Sequence, residues 1–589
     1  MDRHGHRLST TDPRTPAGPS SAGVGWARLP QLPRRSAALR AGVWTLTAAV
    51  PLLFLGMFFA LPVVVLVARG FVTDGVPDLS GFAEVFSRPR TWRLLGLTLG
   101  QAVVGTTIAV VLGLPGAYLL HRCSFPGRRL VRAIVAVPFV LPTVVVGVAF
   151  RSLLTGPLDG LHWDGTFTGV VLALVFFNYT VVVRTVGAFW AGLDERAEQA
   201  AAALGARPVQ VFFRVTLPAL APAIASAAAI VFLFCSTAFG VVLVLGGVGY
   251  GTIETEIWVQ TTQFLDLRAA SVLSVVQLLV VGAALVIAGR ARHRREQVRS
   301  IDAEPAARPI ALRGPGRRIG DLVALLVTAA VVLLLLGGPL IYLMVRSLHT
   351  ADGWGLANYA ALATVRRGIG VSAWEAALTS VRVAVDATVL ATVVGGLAAV
   401  VVSRRPRSRA LRRVVGGLDA AIALPLGVSA VTVGFGMLLT MYHPFGLPLD
   451  LRTSPLLVPV AQAVVAVPLV VRTVLPVLRS IDTRLHEAAA VLGASPGTVL
   501  RRIDWPVAAR SAGLAIGLAF AVSLGEFGAT SFLARPDNPT LPVLIYRLLG
   551  RPGGDNLGVA LAASVLLAVL TGLVMALAER LRGSAGGDV

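Results

Sequence analysis

The sequence contains no lysine, and all 52 basic side chains among its 589 residues are arginines. It therefore has neither the lysine of a phosphate-binding loop nor a Schiff-base lysine, which excludes a self-contained ATPase of the phosphate-loop class. Charged residues make up only 14% of the chain, against about 25% in soluble domains. This composition excludes a secreted enzyme, a coiled coil and a disordered scaffold.

Cysteine and histidine are also scarce. Cys123 and Cys235 lie too far apart in the sequence for metal-ligand spacing, and the eight histidines fall in tails, loops or span ends without an HExxH motif. The sequence thus indicates no metal site and no catalytic residue.

Long apolar runs are what the chain has instead, since 55% of its residues are hydrophobic. A helix needs about 20 apolar residues to cross a bilayer. The sequence therefore predicts an all-α polytopic membrane protein with two sets of six spans, near 44–68, 94–120, 133–154, 167–190, 221–245, 269–289, 321–345, 374–402, 414–441, 455–478, 511–534 and 557–578.

The distribution of arginine predicts the orientation in the membrane. One set of loops and tails holds 36 arginines and the other set holds 10, and the richer side is cytoplasmic by the positive-inside rule. Both termini are then cytoplasmic, in a multi-pass protein of the cell membrane. The net charge of +22 is accounted for by these loops and the lipid bilayer, not by nucleic acid. The predicted divisions are a disordered tail (1–43), a first half (44–290), a linker (291–320), a second half (321–579) and a C-terminal tail (580–589).

Two segments repeat at a displacement of 288 residues. Residues 184–218 and 472–506 align without a gap, and 15 of the 35 positions are identical. The identities include arginine, aspartate, glycine and proline pairs, which an alanine-rich composition does not produce. Because the displacement is close to half the chain length, the sequence indicates a duplicated architecture.

The second copy is predicted to form two short helices joined at a glycine. Asp482 is expected to cap a helix that ends at Gly493 in the left-handed conformation. Ser495 is expected to cap the next helix, with Pro496 at its first position, and Pro506 is expected to stop that helix before the following span. Small side chains in the first helix permit close approach by another protein.

Both copies resemble the EAA loop of permease subunits in binding-protein-dependent ABC importers, whose usual form is EAA-x3-G-x9-I-x-LP. We call residues 199–218 and 487–506 the first and second EAA-like segments. The second carries the motif as Glu487, Ala488, Ala489, Gly493 and Pro506, and departs from it at Trp505. The first carries Gln199, Ala200, Ala201, Gly205 and Pro218; its leading acid is replaced by glutamine, although Glu198 precedes it.

The resemblance implies a type I ABC importer permease fold, with both halves fused in one chain as in thiamine and ferric-iron permeases of this superfamily. It implies that each EAA-like segment docks on one of two copies of a cytoplasmic ABC ATPase, which uses ATP and Mg. It also implies an extracytoplasmic binding protein that delivers a small solute. The chain itself then binds no cofactor and is not an enzyme. Ferric iron and thiamine both remain open as substrates.

The main alternative is a secondary transporter of the major facilitator type, which also has six plus six spans. Its signature needs an acidic residue between the second and third spans of a half. The corresponding loops here, HRCSFPGRRLVR and SRRPRSRALRR, contain none.

Three residues are candidates for a substrate pathway: Glu526, Phe527 and Asn178. A carboxylate inside a membrane is costly, which favours a role for Glu526 on the pathway. The other interpretation is a protonated or hydrogen-bonded packing residue. Asn178 is expected to hydrogen-bond to a neighbouring helix.

The predicted topology can be tested with a reporter that is active only outside the membrane. Fusion at Arg299 should give no signal, because the linker is predicted to be cytoplasmic, whereas fusion at Gly156 should give a signal. The opposite pattern would overturn the orientation and move the EAA-like segments away from any cytoplasmic partner.

Overall fold

The computed structural model describes residues 46–583, apart from 74, 248, 299–307, 310–318, 351–352, 367, 404–407 and 445–446. The predicted N-terminal tail (1–43) lies outside the described residues, as do most of the linker and the last six residues. Within them, the helix that closes the first half continues to Val298, beyond the predicted boundary at 290.

Where the structure describes it, the first half is a series of helices without an extended sheet. Its helices are α1 (Leu46–Phe71), α2 (Ser80–Ser87), α3 (Pro89–Arg122), α4 (Arg128–Ala136), α5 (Thr143–Leu154), α6 (Phe167–Ala191), α7 (Arg196–Ala203), α8 (Pro208–Ser236), α9 (Gly240–Leu245), α10 (Ile253–Thr262) and α11 (Leu267–Val298).

The second half repeats this order. Its helices are α12 (Ile319–Ser347), α13 (Ala357–Ala360), α14 (Ala373–Ser403), α15 (Arg409–Ala423), α16 (Ala430–Thr440), α17 (Leu457–Ser480), α18 (Thr483–Val491), α19 (Pro496–Val499), α20 (Trp505–Gly525), α21 (Thr530–Leu533), α22 (Leu541–Leu549) and α23 (Gly554–Gly583). Six two-residue strands form three pairs: antiparallel β1 (Val72–Thr73) with β2 (Val76–Pro77), parallel β3 (Cys123–Ser124) with β4 (Arg308–Pro309), and antiparallel β5 (His349–Thr350) with β6 (Gly353–Trp354).

The all-helical membrane fold is confirmed, but several predicted spans are not single straight helices. Among the described residues, nine helices are long and apolar enough to cross a membrane, or eleven if each bent pair counts as one span. The predicted span at 133–154 is α4 and α5, which meet at 102°. The second bent pair is Gly497–Ala509 with Ser511–Gly525, which meet at 60°. The predicted span at 414–441 is also interrupted, because it consists of α15 and α16, separated by a 3₁₀ turn at Leu424–Gly427. Proline and glycine in the predicted spans at 133–154 and 414–441 interrupt the helical hydrogen bonds, whereas a hydropathy average runs over the interruption.

Two other predicted spans were too long at their C-terminal ends. The span predicted at 221–245 ends at Ser236, and the span predicted at 511–534 ends at Gly525. In both halves a short break follows, and the chain then forms a separate short helix, α9 or α21.

Pro506 does not stop a helix, contrary to the prediction. The chain passes from α19 through a π-helical turn, Leu500–Asp504, directly into α20, where the Trp505 N–H bonds to the Leu500 carbonyl. The first half has the same arrangement, because α8 contains a π turn at Phe212–Thr216 just before Pro218. Each π turn accommodates the proline without ending the helix.

The first span of each half packs against the other half. Helix α1 contacts α16, where Gly436 lies directly against Pro62, and α12 contacts α3 and α5. The largest apolar core accordingly contains residues of both halves. The two halves therefore form one packed body, not two separable domains.

Both EAA-like segments lie on the same face of the protein, which we call the loop face. Tyr118, near the end of α3, donates a hydrogen bond to Asp321 at the start of α12 at 2.7 Å. Helix α12 therefore begins on the face where α3 ends. Because successive spans cross in alternating directions, α6 and α17 both end on that face. Each EAA-like segment begins shortly after one of these two helices.

Close packing of α3 on α6 depends on glycine. A Cβ atom added to Gly113 would lie 2.6 Å from Val182 Cγ1, whereas one added to Gly96 on the same helix meets no atom within 4 Å. Small residues are what allow membrane helices to approach this closely.

Gly113→Val should therefore lower the thermal stability of the purified protein, by about 1–3 kcal/mol for an overpacked core position. Gly96→Val is the matched control, since it makes the same change in an open position of the same helix. Thermal unfolding in detergent measures both, and equal melting temperatures for the two variants would contradict the described packing.

Candidate transport pathway and coupling loops

Each EAA-like segment is a helix, a left-handed glycine and a second helix. Helix α7 ends before Gly205 (φ +84°) and helix α18 ends before Gly493 (φ +72°). An added Cβ meets no atom within 4 Å at either glycine, so the left-handed backbone, not crowding, favours glycine there.

Both helix ends are closed by the same pair of backbone hydrogen bonds. The N–H of Gly493 bonds to the Ala490 carbonyl and the N–H of Ala494 to the Ala489 carbonyl; in the first half, Gly205 and Ala206 bond to Ala202 and Ala201. This is the Schellman arrangement, which satisfies carbonyls left free by a helix end. The predicted turn at Gly493 is confirmed, and its counterpart at Gly205 has the same geometry.

The predicted caps of the second segment are also present. Asp482 accepts a hydrogen bond from the Arg484 N–H at 2.9 Å, and Ser495 accepts one from the Thr498 N–H at 3.2 Å. Helix α19 begins at Pro496 as predicted. The local rules of helix capping therefore account for this segment.

A second contact ties each segment to the span that follows it. Thr216 donates to the Glu198 carboxylate at 2.9 Å, and at the positions 288 residues later His486 and Asp504 are hydrogen-bonded at 2.7 Å. Glu198 also forms an ion pair with Arg122 at the end of α3, at 3.4 Å. Glu198 is thus occupied inside the protein and corresponds to His486, not to Glu487.

The outer surface of both segments is left open. Leu204 and Leu492, which are related by the 288-residue displacement, have exposed fractions of 89% and 86%. Gln199 and Glu487 are exposed as well. Apolar side chains so exposed outside the membrane spans are typical of a protein–protein contact.

A cavity of about 370 Å³ lies where the helix breaks of the two halves meet. Its lining comes from the chain between α4 and α5, the chain between α8 and α9, the start of α16, the end of α20 with the break after it, and one side of α6. Irregular backbone at membrane depth is tolerated where it is buried in protein or lines a cavity. The structure places all three predicted pathway residues, Asn178, Glu526 and Phe527, on this cavity.

Aromatic residues related by the repeat meet beside the cavity. Phe239 and Phe527 are stacked with ring centroids 5.5 Å apart, and Trp258 and Tyr546 make an edge contact at 5.7 Å. In each pair the two residue numbers differ by 288. A residue contacts its own counterpart only near the axis that relates two copies, so these pairs mark where the two halves meet. Phe527 also contacts Tyr546 at 5.7 Å, which joins the four rings into one row.

Glu526 is held by the helix that follows it. Its carboxylate accepts hydrogen bonds from the N–H of Ala529 at 2.7 Å and of Thr530 at 3.0 Å, and from the Thr530 hydroxyl. These contacts fix the break that carries Phe527. These hydrogen bonds fit a structural role for Glu526, whereas its position on the cavity fits a role on the pathway. The pathway role of Glu526 therefore stays a prediction.

Asn178 presents an oxygen beside the cavity. Its amide nitrogen donates to the Leu174 carbonyl at 2.8 Å and lies 3.4 Å from Cys235 Sγ on α8. Within the described part of the chain, its buried Oδ1 atom has no hydrogen-bond partner. An unpaired buried acceptor is costly, so this oxygen is a polar atom that the packing beside the cavity leaves unsatisfied.

Sequence reasoning did not select Ser429 and Glu254, which connect the two halves at the cavity. Ser429 lines the cavity and donates to the fully buried Glu254 carboxylate of α10 at 2.8 Å. Sequence reasoning also missed Phe239. Extending the 288-residue alignment beyond 506 pairs Phe239 with Phe527, and this signal would have found it.

The chain is similar to known proteins across both halves. The family model for the binding-protein-dependent transport system inner membrane component matches twice, at residues 105–296 and 391–583. The chain is 27% identical over 511 residues to the thiamine transport system permease protein ThiP of Brucella abortus (strain 2308), which covers 84% of this chain and 88% of that protein.

Two further relatives extend the comparison. The thiamine transport system permease protein ThiP of Escherichia coli (strain K12) is 24% identical over 506 residues, covering 84% of this chain and 89% of that protein. The sulfate transport system permease protein CysT of the same strain is 32% identical over 248 residues, covering 40% of this chain and 87% of that protein. The similarity to the thiamine proteins thus spans both halves, and the similarity to the sulfate protein spans one.

Proposed function

Because the chain belongs to the family of binding-protein-dependent transport system inner membrane components, and carries its family domain twice, we propose that it is the complete membrane pore of an ATP-driven importer. The two halves provide the pathway that two separate subunits form elsewhere. The alternative of a major facilitator transporter finds no support, since both halves match the importer family.

The two exposed leucines carry the proposal that ATPase subunits dock on the loop face. Leu204 and Leu492 occupy equivalent positions on equivalent turns. The alanines of α7 and α18 beside them have small side chains, so a partner can approach the helix backbone closely. Two equivalent surfaces fit two copies of one ATPase, one on each segment. ATP and Mg are used by those partners, and the loop face is cytoplasmic in this proposal. A binding protein then delivers the solute to the opposite face.

Thiamine is the proposed substrate. The two relatives described above that match both halves are thiamine permeases, and the cavity is lined by aromatic rings together with the acid Glu526 and the amide Asn178. A cationic ring is attracted by aromatic faces and by acceptor oxygens. No observation favours the other candidate, ferric iron: the described residues include no group of three histidine, cysteine or acidic side chains placed to hold a metal ion.

The direct test is uptake of radiolabelled thiamine into proteoliposomes that contain this chain, its ATPase and its binding protein. ATP-dependent accumulation is expected. Retention of ATP-dependent uptake for another solute, with none for thiamine, would overturn the substrate and leave the importer assignment in place.

The docking proposal predicts that Gly493→Pro abolishes uptake and ATPase co-purification, because proline cannot adopt φ +72°. Gly205→Pro should act likewise. Glu487→Ala should reduce uptake more than Gln199→Ala, since only Glu487 offers a charge. Leu492→Ser should weaken ATPase binding about tenfold, the loss expected when a leucine leaves an apolar contact.

The matched control is Leu447→Ser, because Leu447 is also exposed but lies between α16 and α17, on the face opposite the loop face. It should leave ATPase binding unchanged. Normal uptake and normal ATPase co-purification in the Gly493 variant, with the protein inserted in the membrane, would refute docking at this segment.

The pathway proposal predicts that Glu526→Gln slows uptake while assembly with the ATPase is retained. Glutamine keeps the shape but offers one acceptor oxygen where three donors converge, so the break that carries Phe527 is held less firmly. Radiolabelled uptake and basal ATPase activity are measured in the same proteoliposomes. Unchanged uptake would assign Glu526 to packing alone, and lost assembly would make its role structural.

A further inference from the structure

A second cavity, of about 810 Å³, lies on the face opposite the loop face. Its walls are the last turn of α5, the end of α12 with the β5–β6 hairpin, and the first turn of α23. Helix α12 is a membrane-crossing helix that ends here, and α23 is one that begins here. The cavity therefore lies at the level where spans leave the bilayer.

Three arginines line this cavity: Arg151, Arg346 and Arg551. Across the described residues, neither Arg151 nor Arg346 has an ion-pair or hydrogen-bond partner for its guanidinium, while Arg551 donates to the Gly368 carbonyl. Among the residues that the structure describes, the nearby acidic groups are Asp164, which interacts electrostatically with Arg151, and Asp555, which pairs at 3.8 Å with an arginine outside the cavity.

Helix dipoles alone do not account for this cluster. Arg151 and Arg346 lie in the last turns of their helices, where a cation is favourable. Helix α23, however, brings its N-terminus to the same cavity, at Gly553 and Gly554. Asp555 lies in the first turn of α23, and beside three guanidinium groups this helix end still favours a further anion in the cavity.

Besides the polar residues Ser152, Thr155 and His349 and three glycines, the rest of the lining is apolar and aromatic. The aromatic members are Tyr342 and Trp354, and Trp354 is 70% exposed. Both residue types concentrate at membrane–water interfaces. The apolar wall is formed by Val148, Val345, Leu549, Leu557 and Leu561. A small soluble anion makes no apolar contact with such a wall, whereas an anion attached to a hydrocarbon chain can pack that chain against it.

We propose that this cavity binds an anionic phospholipid of the outer leaflet. The phosphate lies among Arg151, Arg346 and the N-terminus of α23, and an acyl chain lies along the valine and leucine wall. Guanidinium groups suit phosphate because they form paired, charge-assisted hydrogen bonds. The inference rests on the proposed function for one point, the cytoplasmic position of the loop face, which puts this cavity at the outer leaflet; it does not depend on the transported solute.

Native mass spectrometry of the full chain tests the proposal. The purified protein is mixed with equal amounts of phosphatidylglycerol and phosphatidylcholine in detergent, and the lipid retained is counted. Wild type should retain phosphatidylglycerol preferentially. Arg151→Gln/Arg346→Gln should lower that retention about tenfold, through loss of two charge-assisted contacts. Arg151→Lys/Arg346→Lys should restore part of it, because lysine returns the charge but not the paired hydrogen bonds.

The matched control is Arg452→Gln/Arg535→Gln. It removes the same charge on the same face, but these arginines pair with Asp450 and Asp537 outside the cavity, so retention should stay at the wild-type level. If the double cavity variant does not elute as a single species, Arg346→Gln alone is measured and should show a partial loss.

Two results would overturn the proposal. One is equal retention of the two lipids by wild type, or an equal loss in the cavity and control variants. The other is complete displacement of phosphatidylglycerol by millimolar glycerol 3-phosphate, since a soluble phosphate ester would then be the ligand and the apolar wall would have no part in binding. Persistence of the lipid against glycerol 3-phosphate supports the lipid site.

Discussion

The constraint on which this structure depends is that backbone N–H and C=O groups cannot be left unpaired in a bilayer. Membrane helices satisfy it along their length, but this chain interrupts its helices at corresponding places in both halves. Those interruptions are tolerated because they meet inside the protein, around one cavity. Glu526 supplies acceptors to the start of α21, and Ser429 accepts the Val431 N–H at the start of α16. The position of the cavity thus follows from the positions at which the helices are interrupted.

The two halves share one arrangement of helices, and they differ in some of the residues at equivalent positions. The stacked Phe239 and Phe527 preserve the relation between the halves. The buried acids do not: Glu254 corresponds to Pro542, and Glu526 corresponds to Ala238. Each carboxylate therefore acts on one side only, Glu254 by reaching across to Ser429 and Glu526 within its own half. The two halves therefore share the aromatic contact but differ in the acidic residues around it.

The parts of this structure that follow local rules were predictable from the sequence. Asp482, Gly493 and Pro496 occupy the positions that helix capping assigns to their residue types. Pro506 was misjudged because a π turn, which no local signal announced, absorbs it. The helix breaks were missed because a hydropathy average covers about 20 residues, whereas each break occupies three to six residues. The contacts of Glu526 and the cavity around it depend on the packing of distant segments, and the arginine cavity depends on three span ends meeting, so neither follows from residue order alone.

The π turn before Pro218 has a mechanical consequence. Because it lets the helix pass the proline without a gap, α8 is continuous from Pro208, within the first EAA-like segment, to Ser236, next to the cavity. At 1.5 Å per residue its 29 residues span about 43 Å. One continuous helix therefore connects the loop face with the short break that carries Phe239. A helix that ended at the proline would allow bending at that point, and the loop face and Phe239 would then be connected less directly.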